Sequence, residues 1–192
     1  WAQRLSYVGE LGFEIYIQNK DAKEVYQLII EEGKNHGLSH CGSHAMDTMR
    51  MESGFMHWGH DISPEENQYE AGLNFAISYK KETNFIGKEA LLKIKEKNQD
   101  KRFVMLSLKD NSSGHPLLLH EEPIYLNNEI IGRTTSGNYS FNYKKNLSFG
   151  YINSKYSNEL IMKMNLYIEV AKQKHQAVVE VTPLKDKQAR YL

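Results

Sequence analysis

Residues 13–17 alternate apolar Phe13, Ile15 and Ile17 with Glu14 and Tyr16, the period-two pattern of a strand. Residues 7–11 read as its partner strand, with Gly9 and Gly12 bracketing Glu10 and Leu11 as turn punctuation. The period then changes. Asp21 stands where an N-cap belongs, Val25, Leu28 and Ile29 share one helical face, and Gly33 or Gly37 offers the stop. Ser43 caps a second helix to about residue 53, in which Ala45, Met46 and Met49 can face a core, and Gly54 sits just past its end. Residues 55–70 form a polar and aromatic loop, 73–79 read as a strand, and 87–97 as a short helix with Ala90, Leu91 and Ile94 inward.

From Lys101 the texture is different. Residues 103–108 are a continuous apolar strand, and 123–126 and 130–134 flank Asn127 and Asn128, a good hairpin turn. Further strands are expected at 146–152, 166–171 and 177–181. Short strands at this spacing, with no long helix between them, predict a β-barrel or sandwich. The fold class is therefore α+β, divided near residue 98, with an α+β unit over 1–98 and an all-β unit over 99–192.

Composition narrows the function classes. Twenty-four basic and 24 acidic residues give a net formal charge of +0, and the isoelectric point is about 7.3, without the basic excess of a nucleic-acid binder. Cys41 is the sole cysteine, so no internal disulfide can form. No apolar run approaches the roughly 20 residues that cross a bilayer, and no signal peptide is visible. The expectation is a partner that is neither nucleic acid nor membrane. The chain opens at Trp1, already in strand-like sequence, as a fragment does.

Candidate chemistry concentrates in two places. Glu10 and Glu14 lie four apart across a turn, which does not suit a paired-carboxylate acid–base site. Glu14, on a strand between Phe13 and Ile15, is better suited to accepting two parallel N–H bonds from an amidine-like edge such as a pterin or purine pyrimidine ring. A solvated strand face is the other reading. His57, His60 and Asp61 cluster around Trp58, but lack a recognisable fourth metal partner. An aromatic and polar wall for an organic ligand is the better functional reading; a loop whose His and Asp satisfy its own backbone is the alternative. Gly37 and Gly42 interrupt any helix that would align His36, His40 and His44, and Cys41 shows no aligned base. No metal site is expected. The run GRTTSG at 132–137 lacks the P-loop lysine and following helix; Arg133 is expected to tie its hairpin to an acidic group.

The order of YVGELGFEIYI (7–17), MDTMRMESGFMHWGHDI (46–62), YEAGLNFAI (69–77), NFIGKEAL (84–91), EPIYLNNEIIGRTTSGNYS (122–140), LSFGYI (147–152) and AVVEVTPLKD (177–186) resembles the C-terminal half of the glycine-cleavage T-protein (aminomethyltransferase) family. The branch fused to dimethylglycine and sarcosine dehydrogenases is the nearest likeness. The resemblance covers essentially the whole chain. It implies the second half of a folate-binding α+β domain followed by a C-terminal antiparallel β-barrel domain, and a one-carbon transfer from an aminomethyl or methylated donor to tetrahydrofolate, giving 5,10-methylenetetrahydrofolate.

On the matching positions the resemblance implies that Glu14 holds the pterin edge, that Tyr7 lines the same pocket and that Trp58 lies beside the folate. T-proteins proper carry Arg at the position of Met46, against the folate's anionic tail, and a Met there favours the dehydrogenase-linked branch. Arg50, one helical turn on, is left to serve the tail or to brace the helix. The catalytic Asp lies in the family's N-terminal half, so this chain is expected to carry no catalytic residue and to be inactive alone. FAD belongs only to upstream dehydrogenase domains, fused or separate. The setting implied is cytoplasmic, or the mitochondrial matrix in a eukaryote. A non-catalytic folate-binding or scaffold module, and a folate-dependent demethylase of the same superfamily, are the alternatives.

Overall fold

The computed structural model describes residues 1–110, 112–181, 183 and 184; Thr182, Lys185 and Asp186 of the last motif lie outside the described residues. The chain opens with a small hairpin, β1 (Ala2–Arg4) antiparallel to β2 (Phe13–Ile15), with Gln3 opposite Glu14. The first strand therefore lies before Tyr7, and the sequence expectation of a strand over 7–11 is corrected. The backbone closes the hairpin with a bond from Leu5 N to Gly12 O, which makes residues 6–11 the connection, and Gly9 takes a φ of 72° that other residues rarely adopt.

Helix α1 (Ala22–Gly33) begins after Asp21, which makes no side-chain cap bond, and runs into a 3-10 turn, Lys34–His36, stopped by left-handed Gly37. Its apolar Leu28 and Ile29 are exposed here. Helix α2 (Ser43–Glu52) is capped by Gly42 rather than Ser43 and ends before Gly54, whose φ of 74° supplies the left-handed turn past a helix C-terminus. Residues 73–79 are not a strand. Their peptide groups bond locally, Leu73 N to Gln68 O and Ile77 N to Asn74 O, around a 3-10 turn at Asn74–Ala76, and no described strand edge pairs with them. Helix α3 (Lys88–Lys95) follows left-handed Gly87.

The rest is a closed six-stranded barrel. Strands β3 (Lys101–Leu108), β4 (Pro123–Leu126), β5 (Glu129–Ser140), β6 (Lys145–Asn153), β7 (Leu166–Val170) and β8 (Gln173–Glu180) pair in the order β3-β6-β5-β4-β7-β8, each antiparallel to its neighbours. Between β6 and β7 lies the short helix α4 (Asn158–Ile161). Asn127 and Asn128 turn β4 into β5 with both φ values positive, the twist-matched hairpin geometry. Leu106, Ile124, Ile152, Leu166 and Ile168 fill the interior.

One side of the barrel is covered as well. Met51 of α2 packs with Met105, Leu147 and Phe149 in a second buried cluster, so β3 from Val104 onward and β6 from Asn146 to Ile152 are buried at every position. That is why the 103–108 run is apolar at every position but Ser107, whose buried hydroxyl donates to Glu180, and does not alternate. Where β5 and β6 press together, a Cβ on Gly150 would come within 2.5 Å of Arg133 O. Gly150→Ala is expected to cost about 1–3 kcal/mol from overpacking, and Ile124→Ala about 2–5 kcal/mol from the cavity left behind. Both would be read as lower urea midpoints at unchanged m value.

Candidate functional site

The two polar segments meet at the end of α2. Gly54 turns the chain out of the helix, and residues 55–62 fold back as a tight loop. Gly59 N donates to Ile62 O, Asp61 N to His57 O and His57 N to the Asp61 carboxylate, at 2.8 Å each. Trp58 stands at the loop's outer surface, 66% exposed, and the His57 and His60 rings lie 4.7 Å apart between centroids. The turn after β1 docks on the same loop: Tyr7 Oη donates to Met56 O at 3.3 Å, and Ser53 Oγ to Val8 O at 3.4 Å. Burial pushes the Tyr7 phenol up, opposed by the Arg50 charge and reinforced by Asp61 and Asp47, so Tyr7 remains a protonated donor.

Beneath the loop lies an ion pair closed to solvent. Arg50 Nη1 meets Asp61 Oδ2 at 2.5 Å, with side chains 3% and 0% exposed. The guanidinium also donates to Phe55 O, Asp47 Oδ1 and Ser136 Oγ and sits 5.3 Å from the centre of the Phe149 ring. Asp61 accepts from Thr135 Oγ1 at 2.6 Å through its other oxygen, while its carbonyl accepts from Tyr151 Oη at 2.8 Å. Burial pushes the Tyr151 phenol far up, with Glu66, Asp61 and Glu70 adding to the shift, so it too stays a donor. Glu52, buried nearby, accepts from Ser140 and Asn142.

A second tie lies at the loop's far end. Lys101 Nζ meets Glu66 Oε1 at 2.5 Å and lies over the Tyr151 ring. Burial would raise the Glu66 carboxyl, but the hydrogen bonds from Lys101 and Ser63 outweigh it and hold the pKa below the usual glutamate range.

The residues singled out from sequence part company here. Tyr7 and Trp58 are joined through Met56 and the loop. Arg50 lies below them, turned inward. Glu14 is exposed on β2 and accepts from Tyr16 Oη at 2.8 Å, which pushes the Tyr16 phenol up. Met46 is on the open side of α2, 38% exposed. Arg133 pairs with Glu121 at 2.7 Å, the acidic tie expected for its hairpin. Sequence reasoning passed over Thr135, Ser136 and Tyr151; the signal available was the polar run at 134–136 inside a barrel strand, where buried hydroxyls require partners.

Residues 1–81 match the family described as the GCVT N-terminal domain, and residues 101–186 the glycine cleavage T-protein C-terminal barrel domain. Human mitochondrial dimethylglycine dehydrogenase is 34% identical over 95% of this chain and 20% of its own length. The aminomethyltransferase of Thermoanaerobacter pseudethanolicus strain ATCC 33223 / 39E is 42% identical over 80% of this chain and 40% of its own. In structure, glycine cleavage system aminomethyltransferase T from Bartonella henselae superposes with a TM-score of 0.83 at 22% identity, over 97% of this chain and 50% of that one. The chain thus spans less than half the length of these curated relatives and half of the solved structure. Among the described residues no helix is long and apolar enough to cross a membrane.

Removing one member of a buried pair strands the other, so Asp61→Ala is expected to lose about 3–5 kcal/mol, and the Arg50→Met/Asp61→Leu double variant less than Asp61→Ala alone. Denaturant titration of both decides it. A depressed folded-state pKa stabilises above the unfolded-state value and loses that contribution as pH falls through the folded one. Lys101→Met, which lifts the Glu66 pKa, is therefore expected to lower stability near neutrality and flatten its dependence on pH below the ordinary glutamate value of about 4.3, read as Tm against pH.

Proposed function

The chain belongs to the glycine-cleavage T-protein family, and on that premise we propose that it forms one wall of the tetrahydrofolate site of a one-carbon transferase. The observation that carries this reading is the join between the two polar segments: Tyr7 Oη on Met56 O seats the hairpin's turn on the loop that presents Trp58. A carboxylate, a phenol and an indole come from elements tied to one another, which is what a flat, amidine-edged ligand needs.

The residues present fit such a ligand. Glu14 is exposed and, among the described residues, takes its hydrogen bond from Tyr16, which leaves acceptor capacity for a pair of N–H donors. We assign Glu14 to the pterin edge, Tyr7 to the pocket lining and Trp58 to an aromatic contact. Arg50, with its donors on Asp47, Phe55, Asp61 and Ser136, goes behind the wall and not against the ligand. Tetrahydrofolate, when bound, supplies the nitrogen acceptors for the carbon, and 5,10-methylenetetrahydrofolate is the product this reading implies. The chain's own contribution is orientation, a large part of any two-reactant transfer.

Met46, where an arginine would meet an anionic tail, supports a dehydrogenase-linked parent in which an FAD-bearing oxidoreductase domain, fused or separate, generates the aminomethyl donor. Likeness to a mitochondrial dimethylglycine dehydrogenase supports the matrix as its setting in a eukaryote, and the cytoplasm otherwise.

Calorimetry with tetrahydrofolate, on the product of the complete open reading frame, tests the reading. Hydrogen bonds to a charged group contribute about 1.5–3 kcal/mol, so Glu14→Ala is expected to weaken binding roughly 10- to 150-fold. Equal affinity in the two proteins would remove Glu14 from the site; no binding by the unmutated protein would remove the folate reading.

A further inference from the structure

Trp58 is too exposed to be held by its own packing, and its place is dictated by the backbone of the loop beneath it. That backbone is held from the barrel side. Asp61 accepts from His57 N within the loop and from Thr135 across the domain junction, while its carbonyl accepts from Tyr151. Arg50 bonds Asp61, Phe55 O at the loop's other end, and Ser136 on the barrel.

A feature of β5 makes this possible. Successive side chains of a regular strand point to opposite faces, yet Thr135 and Ser136 are adjacent and both reach the loop's ion pair. The β5–β6 register slips between Thr134 and Ser136: Thr134 pairs with Gly150 and Ser136 with Phe149, leaving Thr135 as an extra residue. Such a bulge re-aims a side chain, and bulges are over-represented beside active sites. A buried ion pair is weak evidence for stability, since well-packed apolar groups do as well. A pair combined with a bulge and with bonds to both ends of one loop specifies where that loop sits.

Building on the folate reading, we propose that the barrel sets the geometry of the ligand wall: Thr135 and Tyr151, through Asp61, are positioning residues that fix Trp58 without touching the ligand. Their bonds end on Asp61, so the loop is the first element to lose its place when either is removed.

Hydrogen–deuterium exchange resolved to peptides, together with tetrahydrofolate calorimetry, tests this on the complete open reading frame's product. Thr135→Val and Tyr151→Phe each remove one donor with little change in shape. Each is expected to speed exchange in residues 55–62 by roughly tenfold while β3 and β6 keep their protection, and to weaken tetrahydrofolate binding about 3- to 10-fold, the loss of about one hydrogen bond. Thr135→Ser, which keeps the hydroxyl, is expected to restore both.

Unchanged exchange at 55–62 in both variants overturns the proposal, as does faster exchange with unchanged affinity. Faster exchange throughout the barrel would reduce the two residues to general stability and overturn it as well. Failure of the underlying reading looks different: the unmutated protein itself would not bind tetrahydrofolate.

Discussion

The Arg50–Asp61 contact is the constraint from which the rest of the site follows. Two opposite charges removed from water are tolerable only if each is met by further hydrogen bonds, and here both are. Asp47, Phe55, Ser136, Thr135 and the His57 peptide all converge on the pair. Those partners come from α2, the start of the loop and a barrel strand, and Asp61 itself lies at the loop's far end, so satisfying the charges fixes all of these pieces of chain at once. Apolar contact of Met51 with Phe149 and Leu147 brings α2 to the barrel, but that attraction has no direction. The ion pair supplies the direction.

The two sides of the junction differ in how firmly they are held. On the barrel side, β3 from Val104 onward and β6 from Asn146 to Ile152 are buried on both faces. On the other, β1 and β2 are three residues each, and all six positions are exposed. A two-stranded hairpin in water is marginal by itself, so the position of Glu14 depends on the clips that Tyr7 makes to Met56 and Ser53 to Val8. Order therefore passes from the barrel through Asp61 to the loop, and from the loop through Tyr7 to the hairpin. In the proposed site the aromatic loop is therefore the fixed part, and the carboxylate lies at the end of the chain of contacts.

What could be seen in the sequence tracks how local its cause is. Gly54, the Asn127–Asn128 turn and the apolar run of β3 act through their own backbone or pattern, and each appeared where expected. Glu14, Trp58 and the MDTMRMESGFMHWGHD run stood out by residue type alone. Residues 73–79 look like a strand by alternation but find no edge to pair with among the described residues, and a strand requires a partner that no single segment contains. Residues 7–11 fail for a related reason: the register between Leu5 and Gly12 determines which part of a glycine-rich stretch becomes the turn. The bulge at Thr135 was beyond reach, because a slip of one residue between β5 and β6 is a property of the pair.

The same distinction separates two arginines whose burial no sequence pattern reveals. Arg133 and Arg50 each bind a carboxylate, but the Arg133–Glu121 pair is more than half exposed on both sides, where solvent screening leaves an ion pair worth about 0–1 kcal/mol. Arg50 is buried against the barrel and bonded to Asp47, Phe55, Asp61 and Ser136, and its loss would strand Asp61 in a site that water does not reach. A cation held that tightly is turned away from any anionic tail. Met46, on the open face of the same helix, is apolar, so the arginine of α2 points inward and an apolar side chain faces out. The helix then serves as a strut between barrel and loop, which on the proposed folate reading leaves the aromatic loop and the hairpin carboxylate to meet the ligand.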